Sequence, residues 1–242
     1  MVAREITLGT PQENILFDEV LLALAEKNGC LETLRFWESP VSFIVLGKIS
    51  KLQDDINLET VQKDKIPILR RCSGGGTVMQ GCGCLNYALI LSKEKRSELS
   101  KIPKSYAWII GQLIKVFKEL NIRAIFQPIS DIATLPHFRK FSGNAQRRAR
   151  KFILHHGTIL YAFDILKIER YLRRPQMMPD YRKQRAHRDF LINVPLVPEK
   201  FKQSCGRIFQ ATQGDNKMTQ EESALLKNLV QQKKTAVDVG SV

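Results

Sequence analysis

The 242-residue sequence predicts an α+β fold, and three observations carry that expectation. Helical periodicity is confined to a few segments, β-prone runs fill much of the remainder, and no repeat or low-complexity linker separates the two kinds. A single domain over residues 1–234 follows, with residues 235–242 expected to fray as a C-terminal tail.

The first helix opens at Thr10-Pro11-Gln12-Glu13, which joins a capping-box spacing to a proline at the first helical position. Leu16, Val20 and Leu24 continue it at helical spacing until Gly29 stops it. Leu34–Trp37 and Phe43–Leu46 are short β-prone runs separated by Ser39-Pro40, and Ile66–Arg71 is a further candidate strand. Cys84–Leu91 is a longer apolar run, expected to pair with the segment that precedes the glycines at 74–76. Pro103 then opens a helix whose face is marked by Ile109, Leu113, Val116, Phe117 and Leu120, with Asn121 as its stop. Strand patterns return at Ala124–Phe126 and Phe152–Phe163, and a second capping box, Thr219 to Glu222, opens a last amphipathic helix through Leu225, Leu226, Leu229 and Val230.

Composition narrows the class. The chain is 43% hydrophobic and 26% charged, which excludes a disordered or collagen-like polymer. The first residues are charged, and no apolar run reaches the roughly 18 residues that span a bilayer, so no membrane association and a cytoplasmic location are expected. Five cysteines do not make a disulfide framework, and Cys82-Gly83-Cys84 is too closely spaced for the usual structural zinc pair, so no metal site is assigned. A formal charge of +14 attracts anions. Nucleic acid is not the expected partner, because zinc-finger spacing, RNP-type aromatics and a basic region with heptads are all missing from the sequence.

Two constellations carry chemistry. Arg70-Arg71-Cys72-Ser73-Gly74-Gly75-Gly76-Thr77-Val78 runs from one strand through three glycines into another. Glycines expose backbone N–H donors to anionic oxygens, and Arg71 suits a phosphate or carboxylate. A triple glycine between strands is nevertheless more often a plain tight turn, and this one fits neither a P-loop nor a Rossmann fingerprint. The second constellation places Ser130-Asp131 ahead of Arg139-Lys140-Phe141-Ser142-Gly143-Asn144, and then His155-His156-Gly157-Thr158. Lys140, ahead of a Ser-Gly-Asn turn in a basic loop, places an ammonium where it would stabilise charge on an acyl phosphate. A lone lysine in such a run is usually a solvated side chain, and a lone His156 a core or turn histidine.

Joint order changes that balance. The blocks Arg-Arg-x-Ser-Gly-Gly-Gly-x-Val, Leu-Asn-Tyr, Lys-x-Ser-Gly-Asn-Ala-Gln and His-His-Gly-Thr-x-Leu occur in sequence, and over about Leu34 to Leu196 the chain resembles the lipoate-protein ligase A family of the biotin/lipoate ligase superfamily. The resemblance implies an antiparallel or mixed sheet flanked by helices, ATP with Mg2+, lipoate, and a lipoyl-AMP intermediate. On that pattern Arg71, Gly76, Thr77, Val78 and Met79 contact the nucleotide, and Lys140 meets the carboxyl and phosphate oxygens of the adenylate. Ser73, Gly74, Gly75 and Asn144 line the same pocket, and the other blocks add Asn86, Gly143, His156 and Gly157. Asp131 is the carboxylate expected to hold Lys140 or a metal-bound water, and magnesium bound with ATP needs no protein cage.

The sequence also departs from the pattern. Gln80 stands where many family members have His, and Gly81-Cys82-Gly83-Cys84 makes an unusual following loop. The C-terminal accessory domain of longer members is not expected here, which admits a separate accessory protein as a partner beside the lipoyl-domain or H-protein-type acceptor. Two other functions compete: octanoyl or lipoyl transfer from acyl carrier protein through a cysteine thioester, and non-catalytic binding of lipoate or a carrier. Neither Ser130–Phe138 nor the segment after Gly143 supplies the cysteine that such transferases use. The basic residues Arg147, Arg148, Arg150 and Lys151 are expected to help dock an acidic carrier domain.

Overall fold

Thr10 accepts a hydrogen bond from the Glu13 backbone N–H while the Glu13 carboxylate returns to the Thr10 N–H, so the predicted capping box starts the first helix. Gly29, in the left-handed region at φ 69°, ends it. The second box, Thr219 with Glu222, forms in the same way. The structure, a computed structural model, describes residues 1–29, 31–175, 178–233 and 235–237.

In chain order the elements are β1 (Val2–Glu5), α1 (Pro11–Asn28), β2 (Thr33–Trp37), β3 (Phe43–Leu46), α2 (Leu52–Asp55), α3 (Leu58–Lys63), β4 (Ile68–Arg70), β5 (Val78–Gln80) and β6 (Cys84–Ser92). There follow α4 (Ile102–Glu119), β7 (Ala124–Gln127), β8 (Asp131–Thr134), β9 (Lys140–Arg148), β10 (Phe152–Leu160), α5 (Ile165–Tyr171), α6 (His187–Phe190), α7 (Pro198–Ile208), β11 (Thr212–Gln213) and α8 (Gln220–Gln232). An eight-stranded sheet has the order β11-β1-β2-β6-β10-β9-β8-β7, and a three-stranded sheet the order β4-β3-β5. The large sheet is mixed: β1 lies parallel to β2 and β11, and the other neighbours are antiparallel.

Alternation along β6 explains why its sequence is apolar almost throughout. Leu85, Tyr87, Leu89 and Leu91 pack with Ile109, Leu113 and Phe117 of α4 and Phe201 of α7, whereas Ala88 and Ile90 pack with Phe17 and Val20 of α1. A strand covered on both faces loses the polar half of its pattern. No helix among the described residues is long and apolar enough to cross a membrane.

Three expectations are corrected. β6 pairs with β2 and β10 rather than with the strand before the glycines, because its nine residues need long partners and β4, with three, belongs to the small sheet. The basic loop with a Ser-Gly-Asn turn is in fact strand β9, held between β8 and β10. There, pairing on both sides outweighs the poor β-propensity of Gly143 and Asn144. The tail does not fray from 235: Arg70 N–H donates to Thr235 O at 3.0 Å and Val237 N–H to Ile68 O at 2.9 Å, adding three residues to the open edge of β4. The rest of the expected tail, residues 238–242, lies outside the described residues.

Candidate active site

A cleft of about 320 Å³ opens between the glycine loop of the small sheet and strands β9 and β10 of the large one. It brings the two sequence constellations together. Arg71, Gly75, Gly76, Thr77, Val78 and Met79 form one wall. Lys140, Gly143, Asn144, His156 and Gly157 form another, joined by Asp131 and Asn86. Ser73 and Gly74 are not on the wall.

β9 brings Lys140 to the cleft wall. Its Nζ lies 2.7 Å from Asp131 Oδ1, and Asp131 Oδ2 accepts a hydrogen bond of 2.8 Å from Tyr181 OH. A Cβ on Gly143 would come within 3.0 Å of the same nitrogen, so the absent side chain leaves room for the lysine to fold back over its own strand. Burial, with Asp131 beside it, raises the Tyr181 hydroxyl far above its ordinary range, so it stays a donor.

Arg71 shapes the opposite wall. Its Nη2 donates to Gly74 O at 2.6 Å and Gly76 O at 2.8 Å, its Nε to Ser73 Oγ at 3.1 Å, and its Nη1 to Val45 O at 3.2 Å. The guanidinium thus clamps the glycine loop through the loop's own carbonyls. It has no carboxylate partner among the described residues, and burial pulls its pKa down to about 10. The charge remains uncompensated at a wall of exposed backbone, which favours an anion.

Ser73 sits behind that wall, with its Oγ 2.6 Å from His156 Nε2. His156 Nδ1 lies 3.5 Å from Asp18 Oδ2, and Asp18 Oδ1 accepts from the fully buried Arg35 at 2.7 Å. His156 is therefore tied at both nitrogens. Its neighbour His155 is wholly buried: Nε2 donates to Asn144 Oδ1 at 3.3 Å and Nδ1 accepts from Gln146 at 3.1 Å. Burial, reinforced by His156, pulls its pKa down to about 3, so it is neutral. Asn144 also accepts from Tyr87 OH and donates to Ser130 O at 2.8 Å, which makes it a brace of the cleft floor.

Sequence reasoning gave no site role to Asp18, Tyr181 or Asp55; the Asp55 carboxylate accepts from Thr77 OH. Asp18 left a trace: with Asn14 it forms an i, i+4 polar pair within the apolar face of α1. Gln80, the departure noted above, is a buried wall residue whose Oε1 has no hydrogen-bond partner. None of the described cysteines lines the cleft. Burial pushes the Cys72 and Cys84 thiols up to about 12 and raises Cys205 well above the usual thiol range, so none of these three is a ready thiolate. Cys82 is exposed, and Cys30 lies outside the described residues. No group of three or more His, Cys, Asp or Glu among the described residues is placed to hold a metal ion.

Comparison with known proteins points to one family. The lipoyl protein ligase A/B catalytic domain matches residues 10–197. A probable lipoate-protein ligase A of Mycoplasma genitalium is 30% identical over 67% of this chain, and the match spans 46% of that relative. An octanoyltransferase LipM of Oceanobacillus iheyensis is 27% identical over 84% of this chain and 80% of its own length. In structure, a bi-partite lipoate protein ligase from Thermoplasma acidophilum, studied with its E2 lipoyl domain, superposes with a TM-score of 0.80 at 20% identity, covering 96% of this chain and 93% of the other. That likeness is one of fold.

Proposed function

The chain belongs to the lipoyl protein ligase A/B catalytic domain family, and from that premise we propose that it is an ATP-dependent lipoate-protein ligase. It activates lipoate, or a short acyl acid like it, to an acyl-adenylate and passes the acyl group to a lysine of a lipoyl-domain or H-protein-type acceptor. One observation carries the reading: the cleft presents Lys140, braced by Asp131, opposite a clamped glycine loop, and no described cysteine on its wall.

The chemistry suits those groups. A carboxylate oxygen attacks the α-phosphorus of ATP and pyrophosphate leaves. The acceptor amine then attacks the acyl carbon, AMP departs, and the amine gives up its proton. Both steps build negative charge on oxygens, which Lys140 and the loop N–H groups are placed to hold. Magnesium would travel with the polyphosphate, since the cleft offers the carboxylates Asp18, Asp55 and Asp131 but no metal cage among the described residues.

Cysteine-dependent octanoyl transfer is the second reading, favoured by the octanoyltransferase relative. It requires an activated thiolate at the acyl group, and the buried, strongly raised thiols do not supply one. The test is incubation with ATP, lipoate or octanoate and a lipoyl domain, read by intact mass and pyrophosphate release. Because the match spans less than half of the Mycoplasma relative, one arm adds a separate accessory protein. ATP-dependent mass gain supports the ligase. Transfer from acyl carrier protein without ATP would replace it with the transferase, and binding without either reaction would leave a non-catalytic module.

A further inference from the structure

Arg182 is buried at 3% exposure, yet it lies on the cleft wall. Its Nε donates to Arg185 O at 3.0 Å, and its guanidinium carbon stacks 4.7 Å from the Phe190 ring centroid. Its Nη2 has no hydrogen-bond partner, and no described carboxylate forms an ion pair with it. Asp131 is the carboxylate whose field reaches it, but both Asp131 oxygens are already engaged, by Lys140 and Tyr181. Its other charged neighbours, Arg174 and Arg185, are cations as well. A buried guanidinium with an idle donor among like charges costs stability, and an anion entering the cleft removes that cost.

We propose that Arg182 forms a second anion subsite of the cleft, distinct from Lys140, which receives the leaving pyrophosphate. The assignment rests on the ligase reading above. In the activation step the acyl carboxylate oxygen bonds to the α-phosphorus, the bond from that phosphorus to the bridging oxygen breaks, and the electron pair leaves with pyrophosphate. Charge therefore grows on a second group, on the far side of phosphorus from the attacking acid. Lys140 and the glycine loop serve the acyl phosphate; Arg182, with Arg173 on the same wall, meets the more highly charged leaving group.

The experiment titrates inorganic pyrophosphate by calorimetry into wild type, Arg182→Gln and Arg182→Lys, with AMP as a parallel ligand. ATP–pyrophosphate exchange and transfer from pre-formed lipoyl-adenylate are measured alongside. Loss of a charge-assisted partner should weaken pyrophosphate binding by more than about thirtyfold in Arg182→Gln, with Arg182→Lys between it and wild type. AMP binding should change much less, and exchange should fall more than transfer. Pyrophosphate affinity unchanged in Arg182→Gln, no pyrophosphate binding by wild type, or an equal loss of AMP would each overturn the subsite. Should Arg182→Gln not fold, wild-type crystals soaked in pyrophosphate decide: phosphate oxygens bonded to Arg182 support the proposal, and pyrophosphate seated elsewhere refutes it. If pyrophosphate binds at Arg182 but wild type shows no ATP exchange, the ligase reading fails and the subsite stands.

Discussion

A Cβ on Gly157 would sit 2.2 Å from Asn144 Oδ1 and 2.6 Å from Tyr87 OH. The missing side chain is what lets those two polar groups meet across β10, and their bond fixes the floor from which β9 presents Lys140. A motif glycine here answers to close packing beneath the cleft, and the motif asparagine to the same brace.

Gly157→Ala should therefore destabilise by about 1–3 kcal/mol, the usual cost of forcing a methyl into a filled site. Thermal melts should show the loss, and nucleotide binding should weaken in protein still folded at low temperature. An unchanged melt would mean that Asn144 and Tyr87 can part without consequence.

Thiol substitution separates the two enzymatic readings. The combined variant Cys72→Ser, Cys82→Ser, Cys84→Ala should retain ATP-dependent ligation within about threefold, since a thiol pKa near 12 at Cys72 and Cys84 leaves almost no nucleophile there at neutral pH. A hydroxylamine-sensitive acyl group trapped on the wild-type protein and lost in the variant would establish the transferase instead.

His155 gives a pH signature of stability. Its pKa falls from 6.5 to about 3 on burial, so between those values the unfolded chain binds a proton that the folded chain does not. Stability from this group is complete above about pH 6.5 and is lost as pH drops toward 3, with a slope of at most roughly 1.4 kcal/mol per pH unit. Urea melts at pH 7 and pH 5 should show a larger loss for wild type than for His155→Gln. Equal losses would show that His155 is protonated in the fold or freely hydrated.

What is legible in the sequence follows the range of the interactions. The capping boxes at Thr10 and Thr219 and the stop at Gly29 depend on residues within a turn of one another, and they stand where the spacing places them. Lys140 and the glycine loop are legible through ordered motifs. β9 is not, because only its neighbours β8 and β10 make Gly143 and Asn144 extended. Asp18 and Arg182 reach the cleft, and Tyr181 reaches Asp131, from segments distant in sequence, so neither spacing nor local charge marks their roles. Arg148, expected on a free basic surface, is instead tied down: its Nη2 donates to Leu99 O and, at 3.0 Å, to Ser100 O, which leaves Arg147 and Arg150 exposed.

Those two exposed arginines carry the docking prediction. Arg147→Glu with Arg150→Glu should raise the acceptor KM severalfold at low salt while leaving KM for ATP unchanged, because exposed charges mainly steer encounter. The gap between variant and wild type should close as ionic strength rises. A KM for the acceptor that does not move at low salt would place its docking surface elsewhere.

The strongest test concerns Lys140. Its side chain is a quarter exposed, and its ion pair with Asp131 at 2.7 Å lies at the cleft surface, where such pairs contribute little to folding. Lys140→Ala should therefore melt close to wild type. Its effect on reaction should be far larger, because in the proposed mechanism charge develops on acyl and phosphate oxygens that the ammonium would hold. Loss of one such electrostatic partner costs roughly 3–4 kcal/mol of transition-state stabilisation, a few hundredfold in rate. Lys140→Arg should recover little of that, since the space above Gly143 suits a compact ammonium rather than a planar fork. Asp131→Asn should act differently: it keeps the size of the side chain but releases Lys140, so its rate should fall less than that of Lys140→Ala. Ligation rates and melts for the three variants decide among these outcomes. Ligation by Lys140→Ala within about threefold of wild type would remove the lysine from the mechanism, and a collapse of its melting curve would make it a structural residue.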